Sequence, residues 1–459
     1  MLRIYDTAAR AKVDFVPRTE GAVSMYECGP TPYDAPHIGH GRTAVSFDTI
    51  RRYLRWLGYR VTYVKNVTDV EDRIIARAAE RNTTESELAR VYEDDYWEQL
   101  DRLNVLRPDE VPHATEFIDE MQKLIAELVA RGHAYVIEGQ GVYFQVDTLP
   151  TYGELSHRTL SELLESAGAR IEVDEQKRSP VDFALWKAAK PGEPQWDSPW
   201  GAGRPGWHIE CSAMSLEILG EGFDIHGGGD DLVFPHHENE IAQAEGAGHP
   251  FARHWLHAGM VNTQGVKMSK SLGNFVTLQD VLDRFDPRAF RLLILQTHYR
   301  RQMEFGEKEL ADAEKAVERI DALVRKARRS DLPSAPAADT SEFRAAMDDD
   351  FDTPAAVAVV FDLVRRANSA LDAGDSDDAS ALVAAVWELT EALGIEPHDD
   401  VADLDEEISQ LVVARDEARA ARDFARADEL RDALRARGIV LEDTPEGTVW
   451  RRGKPDEGD

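Results

Sequence analysis

The chain has 459 residues, 86 of them acidic and 53 basic, for a formal charge of −33. On a prior of roughly 150 residues per domain, that length implies about three domains. The start "MLRIYDTAARAKVDF" has no long apolar run, and nothing later approaches the roughly 20 apolar residues that span a bilayer, so neither a signal peptide nor a membrane helix is indicated and a cytoplasmic protein is expected.

Only 12 lysines accompany 41 arginines, and acidic runs such as "MDDDFD" and "EPHDDVADLDEE" are spread along the chain. A surface of this kind suits very salty water, where the Debye length falls to about 3 Å at 1 M and self-repulsion is screened. It also argues against a nucleic-acid partner held by charge alone, because counterion release drives little binding in salt. Shape and base contacts would have to dominate such a complex.

In chain order, "GAVSMYECGP" alternates into a short buried strand that breaks at Gly29 and Pro30. After the turn "TPYDAP", the apolar residues Val45, Ile50, Tyr53, Leu54 and Leu57 recur at helical spacing. The strand "RVTYVKNVTD" and helices to about Asn104 follow. Strand, helix, strand is the start of a parallel α/β sheet with right-handed crossovers. From about Thr115 to Gly206 a long helix, a hairpin in "AYVIEGQGVYFQV" and loops rich in Pro, Trp and Gly read as an insertion. The α/β pattern resumes with "GWHIECSAMSLEILG", "FDIHGGGDD", a helix expected from Pro235, and the strand-like "HWLHAGMVNTQG". Beyond about Pro287 the pattern is helical, interrupted by the linker-like "SDLPSAPAADTSE". The last stretch, "RARGIVLEDTPEGTVWRR", returns to β-like alternation.

Three features carry chemistry. "PHIGH" places His37 and His40 between a strand and a helix, where imidazoles serve either as caps or as phosphate ligands aided by the helix dipole. "GVKMSKSLGN" puts Lys267 and Lys270 in a polar loop able to close over a triphosphate. The third is "FPHHENE": a helix there would bring His236, or equally His237, onto one face with Glu240. Cys28 and Cys211, the only cysteines, leave open a disulfide, two buried thiols, or two ligands of one metal. The disulfide is the least favoured of these in a reducing cytosol.

"PHIGH" and "KMSKS" resemble the paired motifs of class I aminoacyl-tRNA synthetases. "YECGPTPYDAPHIGH", "GWHIECSAM", "DIHGGGDDLVFPHHENEIAQ" and "FARADELRDALRARGIVLEDTPEGTVW" resemble the cysteinyl-tRNA synthetases in particular, over essentially the whole chain. A departure falls at Glu71, where that family often has Asp. The resemblance implies a doubly wound parallel, Rossmann-type catalytic domain split by an insertion, followed by an α-helical anticodon-binding region. Its expected divisions are 1–114 and 207–262 for the two halves of the catalytic domain and 115–206 for the insertion. Residues 263–329 would hold the lysine loop and a stem-contact region, with 330–400 the helical anticodon-binding domain and 401–459 a small mixed anticodon-contact region.

By the same resemblance, Cys28, Cys211, His236 and Glu240 would hold one Zn2+ that binds the substrate's sulfur and rejects serine. Gly29, Thr31, Thr68 and Trp207 would line the amino-acid pocket. His37, His40, Gly227, Gly228, Gly229, Asp231 and Lys270 would bind ATP, Lys267 would assist, and Mg2+ would arrive with the nucleotide. L-cysteine, ATP and tRNA(Cys) are the implied substrates of a monomer. Trp450, with Arg451 and Arg452, is the candidate anticodon contact, and no role attaches to His237 or Glu238. Two rivals are a zinc-dependent ligase joining cysteine to an amino sugar in mycothiol synthesis and a non-enzymatic RNA-binding relative. The C-terminal tail disfavours the first, and the intact motifs disfavour the second.

Overall fold

The computed structural model describes residues 1–162, 164, 176–263, 266–267, 276–330, 332–398, 406–436, 439–444 and 447–452. At its centre are four parallel strands in the order His254–Ala258, Ile225–Gly229, Ala22–Glu27, Arg60–Lys65. Helix Ile38–Trp56 makes the crossover between Ala22–Glu27 and Arg60–Lys65. Later strands add on the other side of Ala22–Glu27, so the direction of winding reverses there. The carboxyl edge at such a reversal is where ligands of doubly wound sheets bind, and Cys28 stands on it, its backbone N–H bonded to the Gly227 carbonyl at 3.1 Å.

Between the second and third strands the chain leaves the sheet. Helix Ile118–Arg131 is followed by an antiparallel sheet of Ala134–Ile137, Gly141–Phe144, Phe183–Ala188 and Gly203–Pro205. The sequence pattern predicts the first two strands as a hairpin. The other two lie in segments broken by Pro and Trp, where alternation is too short to read. The hairpin Arg3–Asp6 with Ala11–Asp14 is equally short and also escapes the pattern.

The strand-like segment after Pro250 divides in two. His254–Ala258 joins the parallel sheet, whereas Val261–Thr263 pairs with Val266–Lys267 and Met303–Phe305 in a separate small sheet. Helices Pro287–Leu295, Glu307–Arg329, Ser341–Asp348, Thr353–Ala373 and Ser376–Leu393 then pack as a bundle, and residues 332–340 have no regular structure. One apolar core runs unbroken from Val23 and Phe47 beside the sheet to Leu389 and Ile395 in the bundle. Helices Glu406–Ala420 and Phe424–Ala436 and the hairpin Ile439–Thr444 with Gly447–Arg452 form a smaller cluster around Val412, Leu434 and Ile439. Among the described residues, no helix is long and apolar enough to cross a membrane.

Helix Ile38–Trp56 is buried on nearly every side, including its charged residues Arg42, Asp48, Arg51 and Arg52. Such charges need partners, and each has them. Arg42 Nε donates to the Gly259 carbonyl at 2.9 Å and its Nη2 to those of His298 and Tyr299 at 3.2 and 3.3 Å. Asp48 accepts from Arg52 Nε at 2.8 Å and from Arg291. Arg291 also donates to the carbonyls of Leu393, Leu103 and Asn104 at 2.8, 3.1 and 3.1 Å, tying the central helix to the bundle. Burial alone would raise the Asp48 carboxyl, but the charges of Arg291 and Arg52 outweigh it and hold it below the ordinary carboxylate range. Removing one partner of a buried pair costs about 3–5 kcal/mol. Arg291→Met should therefore lower the urea midpoint by an equivalent amount, and a midpoint equal to wild type would contradict the assignment of this hub.

Candidate active site and metal centre

A cavity of about 640 Å³ opens at the carboxyl edge of the sheet. Cys28, Gly29, Thr31, His37, His40, Trp207, Gly229 and Asp231 line it. Two of the glycines are set by neighbouring chain. A Cβ on Gly29 would lie 1.6 Å from the Asn66 carbonyl oxygen, and one on Gly227 would lie 2.1 Å from the Phe47 ring of the central helix. Gly227 thus answers to helix packing beneath the cavity, which it does not line. Gly229 does line it, beside Asp231.

His37 is the N-cap of helix Ile38–Trp56 and shares a reciprocal cap with His40. His37 Nδ1 accepts from the Gly39 and His40 backbone N–H groups at 3.1 and 3.4 Å, and His40 Nδ1 accepts from the His37 N–H at 3.1 Å. The rings stack with centroids 3.8 Å apart. A neutral imidazole that accepts on Nδ1 carries its proton on Nε2. Capping, one of the two alternatives in the sequence, thus takes up Nδ1 of both rings and does not compete with a ligand met at Nε2.

The second wall is built by two helices. Trp207 and Cys211 are four apart on helix Trp207–Leu219 and share a face. The helix expected from Pro235 is present: after the extended Phe234 the backbone is helical, first in the π-helical turn Val233–His237 and then in the α-helix Glu238–Gly246. His236 and Glu240 share its face, with Nε2 and Oε1 3.1 Å apart. Cys28 Sγ lies 3.5 Å from Cys211 Sγ and 3.4 Å from Glu240 Oε1, and both cysteines are free thiols.

The four donors Cys28, Cys211, His236 and Glu240 all lie within 4.8 Å of one another and are buried. A tetrahedral zinc with ~2.3 Å bonds to sulfur and ~2.0 Å bonds to nitrogen and oxygen separates such donors by roughly 3.3–3.8 Å. Of the observed spacings, 3.4 and 3.5 Å fall within that range and 3.1 Å just under it. Two thiolates, an imidazole and a carboxylate are a chemically sound donor set for that ion. A second grouping, Cys28 with His226, His237 and Glu240, shares two of these residues. Its two histidines are held otherwise: His226 stacks on Trp255 with centroids 4.5 Å apart, and His237 Nδ1 lies 2.8 Å from His257 Nε2.

Electrostatics separates the imidazoles. Burial would lower His236, but Glu240 and Cys211 outweigh it and raise it to about 10. Burial pushes His208 and His237 well below their ordinary value, and the neighbouring imidazoles of His236 and His226 respectively add to this. Burial would raise Cys211 as well, yet its hydrogen bonds with Cys28 and His236 bring it down to about 6, while burial and Cys211 drive Cys28 up. One thiolate, one imidazolium and one carboxylate leave the set with a net negative charge, which suits a cation.

Partners that orient these ligands lie outside the motifs read from sequence. His226 Nε2 is 2.7 Å from Glu240 Oε2, and His208 Nδ1 is 2.9 Å from His236 Nδ1, leaving Nε2 of His236 for the cluster. The string "DIHGGG" contained a signal for His226, because alternation along Ile225–Gly229 fixes its face; nothing in the sequence pairs it with Glu240. Glu238, without a role in the sequence, accepts from the Gly153 and Ser156 backbone N–H groups at 2.8 Å each and fixes that loop of the insertion against the metal helix. A buried ion pair, Lys65 Nζ to Glu27 Oε1 at 2.9 Å, forms part of the cavity wall near His40. Thr68 and Gly228, expected at the pocket, are buried and do not line the cavity. Lys267 is on strand Val266–Lys267, Lys270 lies outside the described residues, and Trp450, Arg451 and Arg452 are on the final strand.

Comparison with known proteins matches this geometry to a family. Residues 14–315 match the family model of the class I tRNA synthetase (C) catalytic domain, 342–396 the DALR domain, and 401–451 the cysteinyl-tRNA ligase anticodon-binding domain. The cysteine–tRNA ligase of Symbiobacterium thermophilum is 49% identical over 98% of this chain and 99% of its own. That of Halorhodospira halophila is 50% identical over 98% and 100%. In fold, the chain is similar to a solved structure of Mycobacterium tuberculosis methionyl-tRNA synthetase in complex with methionyl-adenylate, with a TM-score of 0.58, 15% identity, and coverage of 82% of this chain and 90% of that one. With a catalytic match over most of the chain and near-complete relatives at about half identity, the chain belongs to the cysteine–tRNA ligase family of class I aminoacyl-tRNA synthetases.

Proposed function

We propose that the enzyme activates L-cysteine with ATP as cysteinyl-adenylate and transfers it to the terminal ribose of tRNA(Cys), with zinc at Cys28, Cys211, His236 and Glu240 selecting the thiol. The observation that carries this reading is the convergence of those four donors, one of which, Cys28, lines the same cavity as His37 and His40. When bound, the ion supplies a soft centre that takes a thiolate in preference to a hydroxyl. An apolar pocket would discriminate by only about 1–3 kcal/mol per methylene, far less than serine rejection requires.

The chain's own groups then divide the work. Gly29, Thr31, Thr68 and Trp207 hold the amino acid, and the Trp207 ring, 4.4 Å from that of His236, closes the pocket beside the ligand set. His37 and His40 donate from Nε2 to phosphate oxygens at the amino end of the central helix, where the dipole also favours anions. Gly229 and Asp231 receive the adenosine, with Gly227 and Gly228 supporting that edge from beneath. Lys267 and Lys270 neutralise charge as pyrophosphate leaves, and Mg2+ comes with ATP. The substrate carboxylate attacks the α-phosphorus, so catalysis is mainly positioning and charge stabilisation. The tRNA hydroxyl attacks next.

The matches over 342–396 and 401–451 favour tRNA over an amino sugar as acceptor, since an amino sugar gives an anticodon-binding region no work. Cysteine-dependent ATP/pyrophosphate exchange followed by charging of tRNA(Cys), with an amino-sugar acceptor in parallel, decides between them; charging of the sugar alone would reverse the assignment. Lys270→Ala should slow exchange by at least ~100-fold with zinc content unchanged, and a wild-type rate would remove the lysine from the mechanism. Cys211→Ser should lose both bound zinc and the preference for cysteine over serine. Full metal occupancy in that variant would break the four-ligand set.

A further inference from the structure

The cavity is wider than the chemistry assigned to it. It runs along the carboxyl edge of the parallel sheet, from Gly229 and Asp231 after strand Ile225–Gly229, past His37 and His40, to Lys65 at the end of the outermost strand Arg60–Lys65. On the proposed function, adenosine takes the first end, and the phosphates and the amino acid take the middle. The other end is lined by Tyr33, Asp34, Lys65, Arg73 and Tyr96, none of which has a part in that scheme.

Charge at this end is uneven. Lys65 Nζ is committed to Glu27 Oε1 at 2.9 Å and lies 5.4 Å from the centre of the Tyr96 ring. Asp34 faces Arg77 at 3.6 Å. Arg73 is exposed, with its guanidinium carbon 5.5 Å from the centre of the Tyr33 ring. Among the described residues lining this end, it is the cation left without a carboxylate, in a chain whose net charge is −33.

The position is also held firmly. Glu71 caps helix Asp72–Arg81, its Oε2 accepting from the Arg73 backbone N–H at 2.6 Å. Asp72 accepts from Lys187 Nζ at 2.6 Å and from Arg204, both on strands of the insertion. Tyr33 packs against Ile74 and Ala78 of the same helix. Arg73 therefore stands at a fixed place, where the insertion meets the cavity.

A guanidinium without a carboxylate, beside aromatic rings, is the chemistry that holds a single-stranded nucleotide: the cation meets a phosphate and a ring stacks on a base. We propose that this end of the cavity receives the 3′-terminal nucleotides of the tRNA, with Arg73 on a phosphate of that strand. The tRNA hydroxyl has to reach an adenylate that already fills the rest of the cavity, and the end beside Lys65 and Arg73 is the part left open to it. A phosphate there also answers the excess positive charge of Arg73. The inference rests on the reading of the protein as a tRNA-charging enzyme, and the test separates the two.

Pyrophosphate exchange and tRNA(Cys) charging are measured for the wild type, Arg73→Ala and Arg73→Lys over a range of KCl concentrations. Arg73→Ala should leave exchange within about twofold of wild type, with the KM values for ATP and cysteine unchanged. It should lower charging kcat/KM on the order of 10- to 100-fold, the range expected for a lost hydrogen bond to a charged group. The slope of log(kcat/KM) for charging against log[KCl] should become shallower by about 0.7, the share of one single-stranded phosphate. Arg73→Lys keeps the charge and should keep the wild-type slope. Charging equal to wild type, or an unchanged salt slope in Arg73→Ala, overturns the proposal. Exchange that falls together with charging overturns it as well, by giving Arg73 to ATP or cysteine. Exchange without any tRNA charging by the wild-type protein would instead overturn the reading on which the proposal rests.

Discussion

A carboxylate with no access to water has to be met by positive charge, and Glu240 is such a carboxylate. Burial would raise it; His226 and His236 outweigh that and hold it well below its ordinary value. The requirement reaches far into the chain. It brings His226 in from the strand after the insertion, His236 from the turn before the helix, and, at 3.4 Å, Cys28 from the end of the first sheet strand. His208 beside Trp207 then supports His236 from the other side. A buried charge that needs cationic partners on several separate elements is a demanding structural commitment, since an incompletely paired buried ion costs several kcal/mol. A divalent metal answers it economically, and the two thiols supply ligands of the right softness.

The parallel sheet makes this convergence possible. Because the winding reverses between Ala22–Glu27 and Ile225–Gly229, the carboxyl ends of both strands face the same crevice. One side of the crevice is the central helix with its histidine cap; the other is the pair of helices bearing Cys211 and Glu240. On the proposed function, phosphate chemistry and amino-acid selection would sit on opposite walls, each held by its own rigid element. The central helix is in turn locked to the bundle through Asp48, Arg52 and Arg291. The site therefore rests on the same continuous core as the helices that follow it.

Much of this was legible in the sequence where a period or a spacing carried it. The alternation of "GAVSMYE", the helical recurrence of Val45, Ile50, Tyr53 and Leu54, the hairpin at 134–144 and the terminal hairpin all correspond to structure. The i, i+4 relation of His236 and Glu240 holds because the backbone is helical from Pro235 onward, although its first turn is π-helical. What the sequence could not carry were pairings between distant segments. His226 with Glu240, Asn66 with Gly29, and Arg291 with Asp48 are meetings of residues whose local surroundings give no hint of a partner. The reason for Gly227 was likewise hidden: the residue reads as a nucleotide-loop glycine, and its neighbour is the ring of Phe47. Helical spacing alone left His236 and His237 equivalent; the family resemblance chose His236, and the structure sets His237 beside Trp255 and His257.

The central claim is that the metal site reads the substrate's sulfur directly. X-ray absorption at the zinc edge, recorded on the enzyme alone and with saturating L-cysteine, tests it most directly. The account predicts two sulfur neighbours at about 2.3 Å in the free enzyme, from Cys28 and Cys211, and three when cysteine is bound, with no gain when serine replaces it. A sulfur count that stays at two with cysteine bound would contradict it.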